Sequence, residues 1–406
     1  MAVSLNIRPV LTAVVFAVLV ALNVAPVVAD LTEVRINLLN GSSIRGTIQT
    51  IDDSGVVVGE GLPDGLTIDQ IVSIQTRRSV EFSPAGAVIH LAGGSRISGA
   101  DVEVSDELVR FRSGCGLAET KLENLRAVVW IDSDLVTSRI DTPSVDADTV
   151  VVQSANGLRA VEGLLESVTA SKVAVNFRGE SRTISMEKVQ GIIVADLRLD
   201  AASGTTARII MADGSLLVGK LAEVTSENKM TLLLPGSNEL IVDTDQISEI
   251  KIQSANLVYA SDLDPLEVEQ RASFAVERAW QRDKSVEGNP LTLGLIGSGR
   301  TVSFDKGLGT SAYTRLVYDN SEEFTRFRAV VGIDVETSGR GDCQVSVSGD
   351  GIQLWTSRVR AGEDPLPVSV DITGLKRIEL VVEPGEQFDL ADHVDWGDAR
   401  FTRSVQ

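Results

Sequence analysis

The chain has 406 residues, a formal net charge of −20 and a 43% share of hydrophobic residues. That length exceeds one ordinary domain and predicts about two to five folded units, with an apolar share typical of globular chains. The acidic charge is spread over both halves, with 57 Asp and Glu against 37 Lys and Arg, and such a surface repels phosphate backbones. Nucleic-acid binding is therefore not expected.

At the N-terminus, Arg8 precedes an uncharged apolar run from Val10 to Val28, and Val27-Val28-Ala29 offers a small-residue cleavage site before Asp30. This predicts a secretory signal peptide over residues 1–29. An uncleaved anchor is the rival, since the run is nearly long enough to span a bilayer. Pro26 and the Val-x-Ala site favour cleavage. No other stretch is apolar over such a length, so no stable membrane span is expected after cleavage. The expected location is secreted or periplasmic, in the cell envelope of a bacterium. The two cysteines, Cys115 and Cys343, fall in different units and read as buried apolar residues.

A pattern then recurs four times. A β-branched strand runs into a glycine turn at Ile36–Gly41, Val88–Gly94, Val150–Gly157 and Ile209–Gly214, and a second glycine follows at Gly46, Gly99, Gly163 and Gly219. Asn-Gly and Asp-Gly suit tight hairpins, and the second glycine lets its strand bend sharply. Each unit closes on acid-x-aliphatic-x-x-aliphatic: Asp69 with Ile71 and Ile74, Glu123 with Leu125 and Val128, Glu187 with Val189 and Ile192, Asp245 with Ile247 and Ile250. The acid is expected to cap a short helical turn before the final strand.

The expectation is four tandem small five-stranded barrels, at residues 30–78, 86–132, 148–196 and 206–253. Polar linkers would join them at Ser79–Ala85, Asp132–Asp148 and Leu197–Thr206. The units resemble Sm-like small barrels. The RNA binding that name suggests is not expected here, because the units are acidic and nearly free of aromatics for base stacking.

Of 17 aromatic residues, 12 follow residue 254, including Trp280, Trp355 and Trp396. Aromatic faces stack on sugar rings, and they also fill the core of an antiparallel sandwich. Alternating strands are read at Phe327–Val335, Cys343–Ser348, Val368–Ile372 and Arg377–Val382, with a hairpin at Gly349-Asp350-Gly351.

A series of blocks runs through this half: Tyr259–Leu263, Trp280–Val286, Asn289–Gly294, Lys306–Thr310, Leu316–Asp319, Val331–Asp334, Val368–Gly374 and Asp392–Ala399. In that order and spacing they resemble the NPCBM family, modules named for carbohydrate binding and first noticed beside glycoside hydrolases. The resemblance covers residues 256–404 and implies a jelly-roll-type β-sandwich that binds glycan. One departure is visible. The family often reads Gly-Thr-His-Ala where this chain has Gly309-Thr310-Ser311-Ala312, so any role of that histidine is in doubt here. The fold class read from the whole chain is thus all-β: four small barrels followed by the sandwich.

The chemistry available is narrow. Two histidines and two scattered cysteines make a zinc site of nitrogen and sulfur ligands untenable. Calcium needs only oxygens, and Asp392, Asp395 and Asp398 stand three apart, though not in EF-hand spacing; the plainer reading is that they cap strand ends. No cofactor is expected. No nucleophile elbow, zincin motif or phosphate loop is present, and neither histidine has the context of a triad. A glycosidase needs only two carboxylates, but no segment is left over to build a catalytic scaffold.

The expected function is non-catalytic carbohydrate binding, with the barrels as spacer or assembly units. The partner would be a glycan or polysaccharide. The expected contact surface is Trp280, Gln281, Asp283, His393, Asp395 and Trp396, with stacking from tryptophan and hydrogen bonds from the polar side chains. The rival reading of Asp395 and Trp396 is that they lock the last strand. The alternative function is a structural or protein-interaction component of the cell envelope, with a protein partner and no sugar.

Overall fold

The computed structural model describes residues 31–81, 86–114, 116–195, 204–225, 229–234, 238–272, 278–295, 299–386 and 389–403. The expected signal peptide, Cys115 and parts of two expected linkers lie outside them. The described residues are all-β, with several sheets and one α-helix.

In each repeat the two glycines do different work. The first sits in the turn: Gly41 and Gly214 have φ of 84° and 85°, which a side chain rarely tolerates. The second marks where a strand changes partners. Along Leu216–Thr225, residues up to Gly219 pair with Thr206–Met211, and from Lys220 onward they pair with Lys229–Leu234. The strand must bend at that handover, so a partner's backbone comes close. A Cβ on Gly219 would meet the Leu233 carbonyl oxygen at 2.7 Å, and one on Gly46 would meet that of Glu60 at 2.5 Å. The second glycine is thus needed for a steric reason, the close approach of a partner's backbone.

Residues 87–129, 148–193 and 206–253 each hold five strands, paired so that the first lies between the second and the last, and the third and fourth follow on the second. The first repeat has four, because a single bridge between Val56 and Thr67 replaces its fourth strand. A 3-10 turn precedes each last strand. Contrary to the expectation from sequence, the repeated acidic residue does not cap it. Asp69, Glu123, Glu187 and Asp245 lie inside the turn, and Thr67, Lys121, Ser185 and Asp243 hold the cap position.

The repeats do not stand apart as units strung on linkers. The last strand of the second repeat pairs with that of the third (Val128 with Ile192), and the last of the first with that of the fourth (Ile74 with Ile250). One aliphatic core runs through all four, holding Ile74, Val128, Ile192 and Ile250 fully buried. The strands Ile71–Gln75, Leu125–Val129 and Val189–Ile193 carry buried residues on both faces, so each is covered on both. The expected linker Asp132–Asp148 also differs. It carries the helix Asp134–Asp141, capped by Ser133, whose Val136 is buried against Ala127, Val129, Val151 and Ile193 at the joint of the second and third repeats.

The C-terminal half is a β-sandwich. One sheet runs Gln281–Arg282, Gly307–Ser311, His393–Thr402, Arg326–Ile333, Leu366–Asp371, with Leu257–Tyr259 also on His393–Thr402. The other runs Glu267–Gln270, Thr314–Asp319, Arg377–Pro384, Asp342–Gly349, Ile352–Arg360. The expected hairpin at Gly349–Gly351 joins the last two in sequence. Between the sheets lies an aromatic core: Phe327 packs tilted against Phe401 with ring centroids 5.1 Å apart, and Tyr318 and Trp396 flank them at 5.7 and 6.5 Å. The two halves meet through Leu39 and Val72 against Leu257 and Tyr259, with a Lys251–Asp305 ion pair beside them.

Candidate functional site

Five of the blocks that carried the resemblance, Trp280–Val286, Asn289–Gly294, Lys306–Thr310, Val331–Asp334 and Asp392–Ala399, come together at one end of the first sheet, whereas Leu316–Asp319 is in the other sheet and Val368–Gly374 at the opposite end. Strand Gly307–Ser311 is bordered by Gln281–Arg282 on one side and His393–Thr402 on the other, which sets Gln281, Gly309 and Asp395 in one row. Gly332 continues it on the next strand. The glycines in this region leave room for a covering segment. A Cβ on Gly309 would sit 2.2 Å from the Lys284 carbonyl oxygen, and one on Gly397 would sit 2.4 Å from the Phe304 ring. The turn at 283–290 and the hairpin Leu291–Leu295/Arg300–Phe304 therefore lie flat on the sheet.

Beneath that cover is a polar network. The Thr292 amide donates to both Asp334 (3.1 Å) and Asp395 (3.0 Å), whose residues are 2% and 1% exposed. Burial, and then the adjacent Asp334 carboxyl, push Asp395 up to about 10, so it is protonated at neutral pH. Next to the pair, Glu336 gathers three donors: Ser285 Oγ at 2.6 Å, Asn289 Nδ2 at 3.1 Å and His393 Nδ1 at 2.8 Å. Glu336 thus ties the 283–290 turn to the last strand. The Asp334 carboxylate also accepts from the Glu336 amide, which starts the 3-10 turn Val335–Thr337.

The six expected contact residues divide. Trp396 is fully buried in the aromatic core, and Asp395 is buried in the acid pair; neither offers a face to a ligand, and locking the last strand is the role their packing supports. Trp280 is half-buried on the core edge with the Arg282 guanidinium 5.0 Å over its ring. Asp283 adopts φ 57° and accepts from the Gly307 amide (3.0 Å) and Lys306 Nζ (2.9 Å), closing the turn. Gln281 is half-buried, its amide donating only a 3.4 Å contact to the Ala279 carbonyl. The His393 side chain is 13% exposed.

The three aspartates considered for calcium face different partners. Asp392 accepts from the Asp342 amide (2.8 Å), Asp395 from Thr292, and Asp398 pairs with Arg400. Burial raises Asp392 to about 6. Sequence reasoning missed Glu336, Asp334 and Ser285 as members of the cluster. Their signal was the acid-x-acid pair of Asp334 and Glu336 beside Gly332, which sequence shows but cannot place opposite His393.

The domain is a two-sheet sandwich with an aromatic core and a covered polar network at one end of its first sheet. Residues 256–402 match the family model of the NPCBM/NEW2 domain, and this part of the chain is such a domain. Among solved structures, the CBM51 of a GH95 protein from Clostridium perfringens, in complex with methyl-galactose, is 30% identical; the match covers 36% of this chain and 99% of that one, with a TM-score of 0.34. The tandem CBM51 modules of a family 98 glycoside hydrolase from Streptococcus pneumoniae SP3-BS71 are 16% identical over 92% of this chain and 89% of theirs, with a TM-score of 0.33. A curated relative named "Putative endo-alpha-N-acetylgalactosaminidase", from Renibacterium salmoninarum, is 26% identical over 245 residues, 55% of this chain. The match spans only 16% of that relative's length.

Proposed function

We propose that this chain is an exported, non-catalytic carbohydrate-binding protein. The observation that carries the reading is the NPCBM/NEW2 match over 256–402. The glycan would lie against the half-exposed Gln281, with Trp280, Asp283 and the small exposed part of His393 at its margin. Asp395 and Trp396 would act from below, by holding the strand that carries His393. Gln281 has spare hydrogen-bonding capacity, as sugar hydroxyls require. Export rests on the Val10–Ala29 sequence. The four repeats would act as a rigid spacer or assembly block built of small barrels, a reading their strand order supports. Their proposed spans are 30–78, 86–132, 148–196 and 206–253.

The test is a glycan array with the purified full chain, whose N-terminal sequence is expected to begin at Asp30. Gln281→Ala should weaken binding of the best glycan about tenfold, or about 1.4 kcal/mol, with the melting temperature unchanged. A wild-type chain that binds no glycan would overturn the reading in favour of an envelope scaffold.

A further inference from the structure

Where the first repeat meets the sandwich there is a cavity of about 600 Å³, within the range of small-molecule sites. It lies away from the Gln281–His393 surface. Three arginines line it, Arg326, Arg328 and Arg403, in a chain whose net charge is −20. Two of them are already neutralised. Arg403 pairs with Glu322 at 3.0 Å, and Arg326 with Asp371 at 3.6 Å. Arg328 is not: among the described residues no carboxylate lies within ion-pair distance of it. Its Nη2 donates to the Asn40 carbonyl, while its buried Nε has no acceptor.

The neighbourhood holds Arg328 in place. Gly41, with φ 84°, lets the 38–43 turn press its backbone onto the guanidinium, where a Cβ would overlap it. Burial, then the charge of Arg326, lower the pKa of Arg328, as befits a cation short of a counter-charge. The rest of the lining adds donors. The Asn40 side-chain oxygen accepts from Ser42 and that of Gln70 from the Thr67 amide, and both residues line the cavity, so the amide nitrogens are the groups they have left to donate. The only acidic lining residue is the exposed Asp64.

A cavity rich in donors and carrying one uncompensated guanidinium suits an acceptor-rich anion. A carboxylate matches the guanidinium fork, and ring hydroxyls would match the two amides. We propose that this cavity is a second binding site, selective for a sugar acid, with the carboxylate on Arg328 and the ring against Asn40 and Gln70. The site does not depend on the glycan surface of the sandwich, because it uses the first repeat as one wall.

Titration calorimetry of the full chain with sodium glucuronate, glucose and sodium sulfate tests this. Glucuronate should bind at least about tenfold tighter than glucose or sulfate, and more weakly as salt is raised. Arg328→Gln should lose that affinity about tenfold or more. Because Arg328 also touches the 38–43 turn, Arg326→Gln serves as a control for folding: it should weaken glucuronate several-fold at an unchanged melting temperature. Asp64→Asn should tighten it. Gln281→Ala should leave glucuronate binding as in wild type, which separates this site from the sandwich surface. Equal binding of glucuronate and glucose would overturn the proposal. So would sulfate bound as tightly as glucuronate, or wild-type affinity in Arg328→Gln.

Discussion

The repeat half and the sandwich half solve the same problem, covering both faces of β-sheet, with different materials. The repeats use aliphatic side chains almost alone, and four units share one core by pairing their last strands. The sandwich has an aromatic core between two sheets and, on the outer face of one, a buried polar network under a covering hairpin. Glycine is spent differently too. In the repeats it lets one strand bend between two partners; in the sandwich it lets a separate segment lie on the sheet. The difference teaches that a motif dense in Asp, His and Trp need not mark the ligand surface. Much of it here holds a lid onto a sheet.

The largest break in this comparison should come from the aromatic core. Trp396→Ala should cost about 3–5 kcal/mol and unfold the sandwich first, whereas Ile250→Ala should cost about 2–5 kcal/mol and loosen the repeats. Two calorimetric transitions moving separately would bear out two cores; a single transition shifted by either variant would join them.

A smaller effect should follow from the covering segment. Gly309→Ala places a methyl group against the Lys284 carbonyl, and overpacking of this kind costs about 1–3 kcal/mol. Hydrogen exchange should show the 283–290 amides losing protection while those of the repeats keep theirs. Unchanged protection at Ser285 and Thr292 would contradict the idea that Gly309 makes room for the lid.

The finest test uses the acid pair. The folded pKa of Asp395, about 10, lies above the value of about 3.9 in an unfolded chain. The native state therefore keeps a proton that the unfolded state releases, and this contribution to stability is full below about pH 4 and declines as pH rises toward 10. Asp392, raised to about 6, acts in the same direction over a narrower window. The wild-type melting temperature should fall as pH is raised from about 5 to 9. Asp395→Asn, which stays neutral and keeps an acceptor for the Thr292 amide, should flatten that fall. A variant whose slope matches wild type would mean that the proton is not on Asp395.

Local physics made much of this legible from the sequence. Turn glycines, alternating strands and the acid-marked endings are short-range features, because backbone sterics and side-chain periodicity act within a few residues. The four repeats and the hairpin at Gly349–Gly351 could therefore be read directly, while the C-terminal domain, read at 256–404, was legible through its resemblance to a known family. The partnership of repeats through their last strands could not, since Ile71–Gln75 and Ile247–Gln253 look like ordinary buried strands and only the fold says what buries them. The same limit applied at Trp396 and Asp395. Their residue types suit a sugar or a core equally well, and burial, which depends on contacts about a hundred residues away such as Thr292 with Asp395, decided between them.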